Sequence, residues 1–235
     1  MKTFQRDLTL LFITLCLFGC QKQLDQHPHP TFQSQGSELR NSIEAGADSE
    51  TPSLNAVDCG QLRTQSPGGW GANPRGENPG VYLHANFKAA FGEFITVGCY
   101  PDNNYIKMTS AQAITNLLPT GGSADALTSV TTDPASLSNS MAGHIISLTL
   151  SVGFDSYDAN FGVAGVSLGN MVIGSGAFQS RTVNDFLFEA NKILGGCSSA
   201  FSYEEVLNTA SAINENYLSG KRDNNFLICP VITPR

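Results

Sequence analysis

The most apolar run of the chain, residues 136–154, carries two competing hydrophobic periods. Its sequence is SLSNSMAGHIISLTLSVGF. Residues 146–152 alternate between apolar and polar with the period of two that is typical of a strand. Apolar residues also recur at helical spacing over about four turns, longer than a typical strand of about five to six residues. The helical apolar face comprises Leu137, Met141, Ile145, Leu148 and Val152, and the opposite polar stripe comprises Ser140, His144, Ser147 and Ser151. The pattern therefore predicts a central helix that is a core element.

Shorter patterns on both sides of this run predict its packing partners. Capping boxes at Thr182 and Ser202 start two amphipathic helices that end at glycines. Further predicted elements are a helix over 81–91, strands over 94–99 and 105–108 joined by a turn, a helix from Thr109 or Ser110 to 118, and a short strand near 171–173. Glycine and proline are too dense over 58–80 for a regular element. The predicted fold class is mainly α with a small β hairpin (α+β), a compact helical domain around the helix near 136–154.

The N-terminus resembles that of a bacterial lipoprotein. Lys2 and Arg6 precede an apolar stretch over 8–18, too short to span a bilayer, which ends in the lipobox-like sequence Leu17-Phe18-Gly19-Cys20. The resemblance implies a signal peptide over 1–19 and acyl chains, such as palmitate, on Cys20. No aspartate follows Cys20, so the resemblance favours the outer membrane, on either its periplasmic or its surface face. An ordinary secretory signal peptide with a chance cysteine is the alternative.

Composition separates a tether from a folded domain. Residues 20–56 comprise the predicted lipidated cysteine and a stretch with scattered charge, three prolines and few apolar residues, which predicts a flexible tether. The folded domain is predicted over 57–235. The formal net charge is −7 and charged residues make up 14% of the chain, without a basic stripe. This balance argues against a nucleic-acid partner, because phosphate backbones are bound largely by Lys and Arg.

Four cysteines fall within the predicted domain: Cys59, Cys99, Cys197 and Cys229. An even number in an exported domain predicts two disulfides, and four cysteines allow three pairings. Because chain termini often lie close together, we favour Cys59–Cys229 and Cys99–Cys197. The alternative, one zinc site of four thiolates, usually requires two close pairs, whereas these cysteines are far apart in sequence.

Two loops contain candidate binding residues. Trp70, the only tryptophan, lies among glycines, where it would either stack on a sugar or partner protein or pack onto the domain. Tyr82 and His84, on the next predicted helix, are further candidate ligand-binding residues. Asp155, Asp158 and Asn160 precede Gly162 and offer oxygen ligands for calcium, although Asx turns explain the same residues. No cofactor is predicted, and calcium is kept only as a candidate ligand of these three residues.

No sequence motif in the chain specifies a catalytic site. Residues 165–169 match G-x-S-x-G, but that motif needs a strand before it, a helix after it and a later histidine, whereas His84 and His144 both precede Ser167. His144 is interpreted as a structural residue of the central helix. If the chain were an envelope hydrolase, the first carboxylates to test would be Glu205, Glu215 and Asp158.

Several stretches resemble an uncharacterised module of secreted and surface proteins of Bacteroidota. They span most of 58–230 and include T-Q-S-x-G-G-W-G at 64–71, N-P-G-x-Y-L at 78–83, L-G-G-C at 194–197, I-N-E-N-Y at 213–217 and C-P at 229–230. The resemblance implies no known activity and no catalytic residue. We therefore expect a lipid-anchored envelope protein with a non-catalytic module that binds a glycan or a protein, or has a structural role. An envelope hydrolase is the alternative.

Overall fold

The computed structural model describes residues 59–230. The predicted signal peptide, the predicted lipidation site Cys20 and the predicted tether lie outside the described residues, as do residues 231–235. Between residues 59 and 230, no helix is both long enough and apolar enough to cross a membrane.

The predicted mainly helical α+β fold with a small hairpin is confirmed. Its helices are α1 (Pro67–Trp70), α2 (Pro79–Phe91), α3 (Ala111–Leu117), α4 (Ser140–Tyr157), α5 (Val183–Leu194) and α6 (Tyr203–Asn216). Its strands are β1 (Gly60–Gln61), β2 (Ile95–Gly98), β3 (Tyr105–Met108), β4 (Thr131–Thr132), β5 (Val163–Ala164), β6 (Val172–Ile173) and β7 (Leu227–Ile228). The strands form sheets in the orders β1-β5, β2-β3-β4 and β6-β7.

Helix α4 is the predicted central helix, and other elements cover nearly all of its surface. It contacts α1, α2, α5 and α6. The side chain of Asn139 caps it by accepting a hydrogen bond from the N–H of Ala142 at 3.0 Å. The polar stripe does not face solvent, because Ser147 and Ser151 are fully buried. The Ser151 hydroxyl donates to the Ser147 carbonyl at 3.0 Å, a bond within the helix that lets a small polar residue occupy the core.

The predicted hairpin is present, and a third strand extends it. Strands β2 and β3 pair antiparallel with Ile95 opposite Met108, and both residues are buried. Strand β4 then joins β3 in parallel, with Thr131 opposite Ile106. The sequence pattern did not predict β4, because two residues in a polar stretch show no hydrophobic period.

The prediction that residues 58–80 contain no regular element is wrong. Strand β1 and helix α1 both lie in this stretch. The side chain of Ser66 caps α1 by accepting a hydrogen bond from Gly69 N–H at 3.2 Å, and Pro67 occupies the first turn, where its missing N–H costs nothing. Such a short helix depends on its packing, and Trp70 at its end is fully buried.

The cysteines form the two predicted disulfides. Cys59 bonds to Cys229 across a sequence separation of 170, and Cys99 bonds to Cys197 across 98. Their Cα–Cα distances of 5.9 and 6.3 Å are ordinary for disulfides. The first bond joins the two ends of the described domain, and the second joins the hairpin loop to the end of α5.

Candidate functional site

Residues 60–65, which we call the first segment, run between two loops and form the base of the candidate site. On one side, β1 pairs with β5, with Gly60 opposite Ala164. The backbone of Gly162 also approaches closely: a Cβ atom there would lie 3.0 Å from the backbone nitrogen of Arg63. The loop that contains Gly162 therefore packs directly against the backbone of Arg63.

The other side of the first segment pairs with the turn after α6. The N–H of Thr64 donates to the Tyr217 carbonyl at 3.0 Å, and the N–H of Ser219 donates to the Thr64 carbonyl at 2.9 Å. Leu62 and Thr64 are fully buried, whereas Arg63 between them is partly exposed. Because successive side chains of an extended segment alternate in direction, the Arg63 side chain emerges at the surface between the two loops.

The guanidinium of Arg63 contacts two aromatic rings and has no polar partner among the described residues. Its Cζ lies 5.9 Å from the ring centroid of Tyr82 and 5.3 Å from that of Phe161. Nε is buried without a hydrogen-bond acceptor, and the single ion pair between residues 59 and 230 joins Lys192 to Glu189 instead. Cation–π contacts stabilise the position of a guanidinium but use none of its N–H donors.

Tyr82 and Asp158 form the side of the site next to Arg63. The Tyr82 hydroxyl donates to Oδ2 of Asp158 at 2.7 Å, and Oδ1 of Asp158 accepts from the N–H of Asn160 at 2.9 Å. Burial, together with this hydrogen bond to a carboxylate, raises the pKa of Tyr82 above its ordinary value. The hydrogen bond from Tyr82 lowers the pKa of Asp158. At neutral pH the pair is therefore a phenol that donates to a carboxylate.

Two adjoining cavities open over this region. The first, which we call the Arg63 site, has a volume of about 210 Å³, and its lining includes Gln61, Arg63, Asn160, Phe161, Val163 and Ser219. The second, which we call the Arg222 cavity, has a volume of about 310 Å³, and its lining includes Tyr217, Lys221, Arg222 and Asp223. Gln61 and Gly220 line both cavities, and the side-chain amide of Gln61 donates a hydrogen bond to the Gly220 carbonyl, so the two cavities are neighbours that share this pair of residues.

The charge of this surface differs from that of the whole chain. Arg63, Lys221 and Arg222 place three cations along the two cavities, although the chain has a formal net charge of −7. Two carboxylates lie near them: Asp158 accepts hydrogen bonds from Tyr82 and Asn160, and Asp223 accepts from neighbouring amides. Neither carboxylate forms an ion pair with a described cation. The cations are therefore available to an anionic ligand.

Trp70 is not on the surface, which corrects its interpretation as a ligand-binding residue. The side chain is fully buried, and Nε1–H donates to the Ser147 carbonyl at 3.2 Å. Its ring centroid lies 5.2 Å from that of Phe154 and 6.1 Å from that of Phe161, with an interplanar angle of 13° to the latter. Because Phe161 in turn contacts Arg63, Trp70 supports the floor of the Arg63 site from below.

His84 lines a cleft that includes neither Tyr82 nor Arg63, so the structure separates the two candidates His84 and Tyr82. Its cleft of about 380 Å³ is also lined by Lys88, Glu93 and Ser110. His84 Nε2 lies 3.0 Å from the Thr115 hydroxyl, within hydrogen-bond distance. The Ser110 hydroxyl accepts from the N–H of Ala113 as the cap of α3, so it has a structural role.

The three candidate calcium ligands have local hydrogen-bond partners. Oδ2 of Asp155 accepts from the N–H of Leu168 at 2.7 Å, and burial raises the pKa of Asp155. The hydrogen bonds from Tyr82 and Asn160 to Asp158 include an Asx turn of the kind that the sequence allows. In the described part of the chain, no three His, Cys, Asp or Glu residues cluster as metal ligands. The structure does not test whether these residues bind calcium.

Two of the three carboxylates proposed for a hydrolase, Glu205 and Glu215, lie apart. Glu205 accepts hydrogen bonds from the backbone and hydroxyl of Ser202 in the capping box of α6. Glu215 lies ten residues further along the same helix, about 15 Å along its axis. Paired glycosidase carboxylates are about 5–9.5 Å apart, so these two are not such a pair. Ser167 precedes a 3₁₀ turn over 168–170 instead of the long helix of a nucleophile elbow.

His144 is a half-buried residue of α4, in agreement with its interpretation as structural. Burial lowers its pKa. The side-chain amide of Asn214 donates to the His144 carbonyl at 2.9 Å and lies 3.4 Å from Nδ1. This contact joins α4 to α6.

Sequence reasoning missed Arg63, Lys221 and Arg222 as site residues. The adjacent pair Lys221-Arg222 is visible in the sequence, but its proximity to Arg63 depends on the pairing of the first segment with the turn after α6. In the local sequence, nothing marks Arg63 as a site residue except that it is a cation between two residues that become buried in the fold. Of the predicted residues, the structure brings together Tyr82, Asp158 and Asn160 at this site.

Comparison of the chain with models of known families, with curated proteins and with solved structures finds no match.

Proposed function

We propose that this chain is a lipid-anchored protein of the outer membrane whose folded domain is a non-catalytic binding module. The lipobox-like sequence that ends in Cys20 supports the anchor, and the following residues 21–56 have the composition of a tether. Two disulfides in the folded part are typical of an exported protein. Ligand binding is assigned to the Arg63 site.

The observation that carries the binding function is the unpartnered guanidinium of Arg63. It lies in an open cavity, its buried Nε has no acceptor among the described residues, and it has the side chains of Asn160 and Ser219 beside it. Polar groups in native proteins are nearly always hydrogen-bonded when they are withdrawn from water, so a guanidinium that lines an open cavity and has no protein acceptor favours a site that a ligand completes. Recognition is the chemistry that we assign to this surface, because both oxygens of Asp158 accept hydrogen bonds within the protein and the cavity lining itself consists of Arg63, neutral polar side chains and apolar side chains.

The anchor is tested by replacing Cys20 with Ala in the full chain expressed in a bacterium with a lipoprotein pathway. We expect the wild-type chain in the outer-membrane fraction and Cys20→Ala in the soluble fraction. An unchanged distribution would contradict the anchor.

The binding function is tested with the full chain, solubilised in detergent, on arrays of glycans and of envelope and matrix proteins. We expect at least one ligand whose binding is weakened by Arg63→Gln and not by Arg181→Gln. Arg181 is a matched control, because its Cζ lies 5.8 and 5.2 Å from the rings of Phe178 and Phe201. No ligand for the wild-type chain, or release of cleaved product from a bound glycan, would contradict a non-catalytic binding module.

A further inference from the structure

We infer that the ligand of the Arg63 site is an acidic glycan that carries a carboxylate on successive sugars, such as a polyuronide, with one carboxylate at Arg63 and the next beside Lys221 and Arg222. This inference rests on the proposed binding function and specifies the class of ligand.

The free donors of Arg63 favour a carboxylate as the group of the ligand that binds there. A guanidinium presents five N–H donors in a planar fork that matches the two oxygens of a carboxylate. The contacts with Tyr82 and Phe161 hold the side chain over the cavity at 5.9 and 5.3 Å without using these donors. A carboxylate in the cavity would accept from the terminal N–H groups of the fork, whereas Nε is buried from solvent.

The other residues that line the Arg63 site favour a sugar as the body of the ligand. Gln61, Asn160 and Ser219 each donate one hydrogen bond within the protein, to the Gly220 carbonyl, to Asp158 and to Gln65, so their oxygens remain as acceptors for sugar hydroxyls. Val163 in the lining is 71% exposed. An exposed apolar side chain beside polar groups matches the mixed surface of a pyranose ring.

The small size of the Arg63 site and the position of the second cavity next to it favour a polymer as the ligand. At about 210 Å³, the Arg63 site is smaller than the roughly 300–1,000 Å³ that encloses a drug-sized ligand, and it is open. It adjoins the Arg222 cavity through Gln61 and Gly220. A glycan polymer that passes over both cavities would place one sugar unit in each. Each unit would then lie beside a cationic side chain.

The carboxylates of the protein do not block this arrangement. Oδ2 of Asp158 accepts from Tyr82 at 2.7 Å, and Oδ1 accepts from the N–H of Asn160 at 2.9 Å. Asp223 accepts from the Asn216 amide at 3.1 Å and from the N–H of Asn225 at 2.8 Å. With only three cations on this surface, spaced units with single charges fit better than a polymer with densely packed phosphates.

The test is calorimetric titration of the full chain in detergent with four probes. Polygalacturonate is the acidic polymer, its fully methyl-esterified form is the neutral polymer with the same backbone, dextran sulfate replaces carboxylate with sulfate, and galacturonic acid is the single unit. We expect binding of polygalacturonate, no binding of the methyl ester, and binding of the single unit that is at least tenfold weaker. The methyl-ester comparison needs no protein variant.

Variants then locate the site. Because a charge-assisted hydrogen bond is worth about 1.5–3 kcal/mol, Arg63→Gln should weaken polygalacturonate binding about tenfold to a hundredfold. Arg63→Lys, which keeps the charge, should lose less, and the matched control Arg181→Gln should stay within twofold. The double variant Lys221→Gln, Arg222→Gln should weaken binding less than Arg63→Gln and reduce its dependence on salt, as expected for exposed charges. Thermal unfolding of each variant reports any loss of fold.

The outcomes separate the inference from the proposed function. Equal binding of the methyl ester, binding of dextran sulfate alone, or equal losses in Arg63→Gln and Arg181→Gln would overturn the acidic-glycan inference. A neutral glycan or a protein that requires Arg63 would overturn it and leave the binding module intact. Polygalacturonate binding accompanied by new reducing ends would retain the ligand class and overturn the non-catalytic function. No ligand at all would overturn both.

Discussion

Replacing Trp70 tests whether it is a core residue or a binding residue. The side chain is fully buried beneath Phe161, and its indole N–H donates to the Ser147 carbonyl at 3.2 Å. Trp70→Ala removes the ring and the hydrogen bond, whereas Trp70→Phe keeps an aromatic ring. If Trp70 is a core residue, both changes lower stability, and the second lowers it less than the first.

The expected magnitudes follow from this burial. Truncating a buried tryptophan to alanine costs about 3–5 kcal/mol, out of a typical total stability of about 5–15 kcal/mol. At about 2–4 °C per kcal/mol for a domain of this size, Trp70→Ala should lower the melting temperature by about 6–20 °C. Trp70→Phe should cost only about 1–2 kcal/mol, because the Ser147 carbonyl still accepts from the Ser151 hydroxyl at 3.0 Å and so remains satisfied.

The assay is thermal unfolding followed by circular dichroism, with the disulfides intact, beside the intrinsic fluorescence of the wild-type chain. Because Trp70 is the only tryptophan, its emission reports this one position. We expect blue-shifted emission that iodide does not quench until the chain unfolds. An unchanged melting temperature in Trp70→Ala, or iodide quenching of the native chain, would refute the core placement.

Three further predictions test the interior and the site. Leu148→Ala, in the fully buried centre of α4, should cost about 2–5 kcal/mol in urea unfolding, and no change would contradict its core position. Burial lowers the pKa of His144, so below about pH 6.5 the unfolded chain binds a proton at this residue more readily than the folded chain does. The free energy of unfolding should therefore fall as the pH drops below that value. His144→Gln should remove this part of the pH dependence. Tyr82→Phe removes the hydrogen bond that lowers the pKa of Asp158, so NMR titration should show that pKa rise. The associated stabilisation is present above about pH 3.9 and lost below it; an unchanged Asp158 titration would contradict the pairing.

The helices that could be predicted from the sequence are those whose ends are encoded locally. The Thr182 hydroxyl accepts from the N–H of Asp185 at 3.1 Å, and the Ser202 hydroxyl accepts from the N–H of Glu205 at 3.3 Å, as the capping boxes predict. Each of these bonds spans three residues. Helix α4 was predictable for a different reason, because its apolar period extends over several turns.

The elements that could not be predicted depend on distant partners. Strand β1 consists of two residues whose partners, in β5, lie about a hundred positions further along the chain. The buried serines of α4 could not be distinguished from solvent-facing serines, because burial depends on which helices pack around α4. The hydroxyl of Ser151 satisfies itself within the helix, so nothing in the local sequence indicates its burial.

The Arg63 site depends on contacts between distant parts of the chain. These contacts explain why its central cation, Arg63, is held in place. The Cys59–Cys229 disulfide fixes the start of the first segment, the pairing of β1 with β5 holds one edge, and the bonds of Thr64 hold the other. The rings of Tyr82 and Phe161 then restrict a side chain that carries about 2 kcal/mol of rotamer entropy when free. Less of that entropy remains to be lost on binding, so a ligand that reaches the guanidinium gains more of the hydrogen-bond energy. Residues from three distant parts of the chain thus make one short stretch into a surface with a preorganised cation.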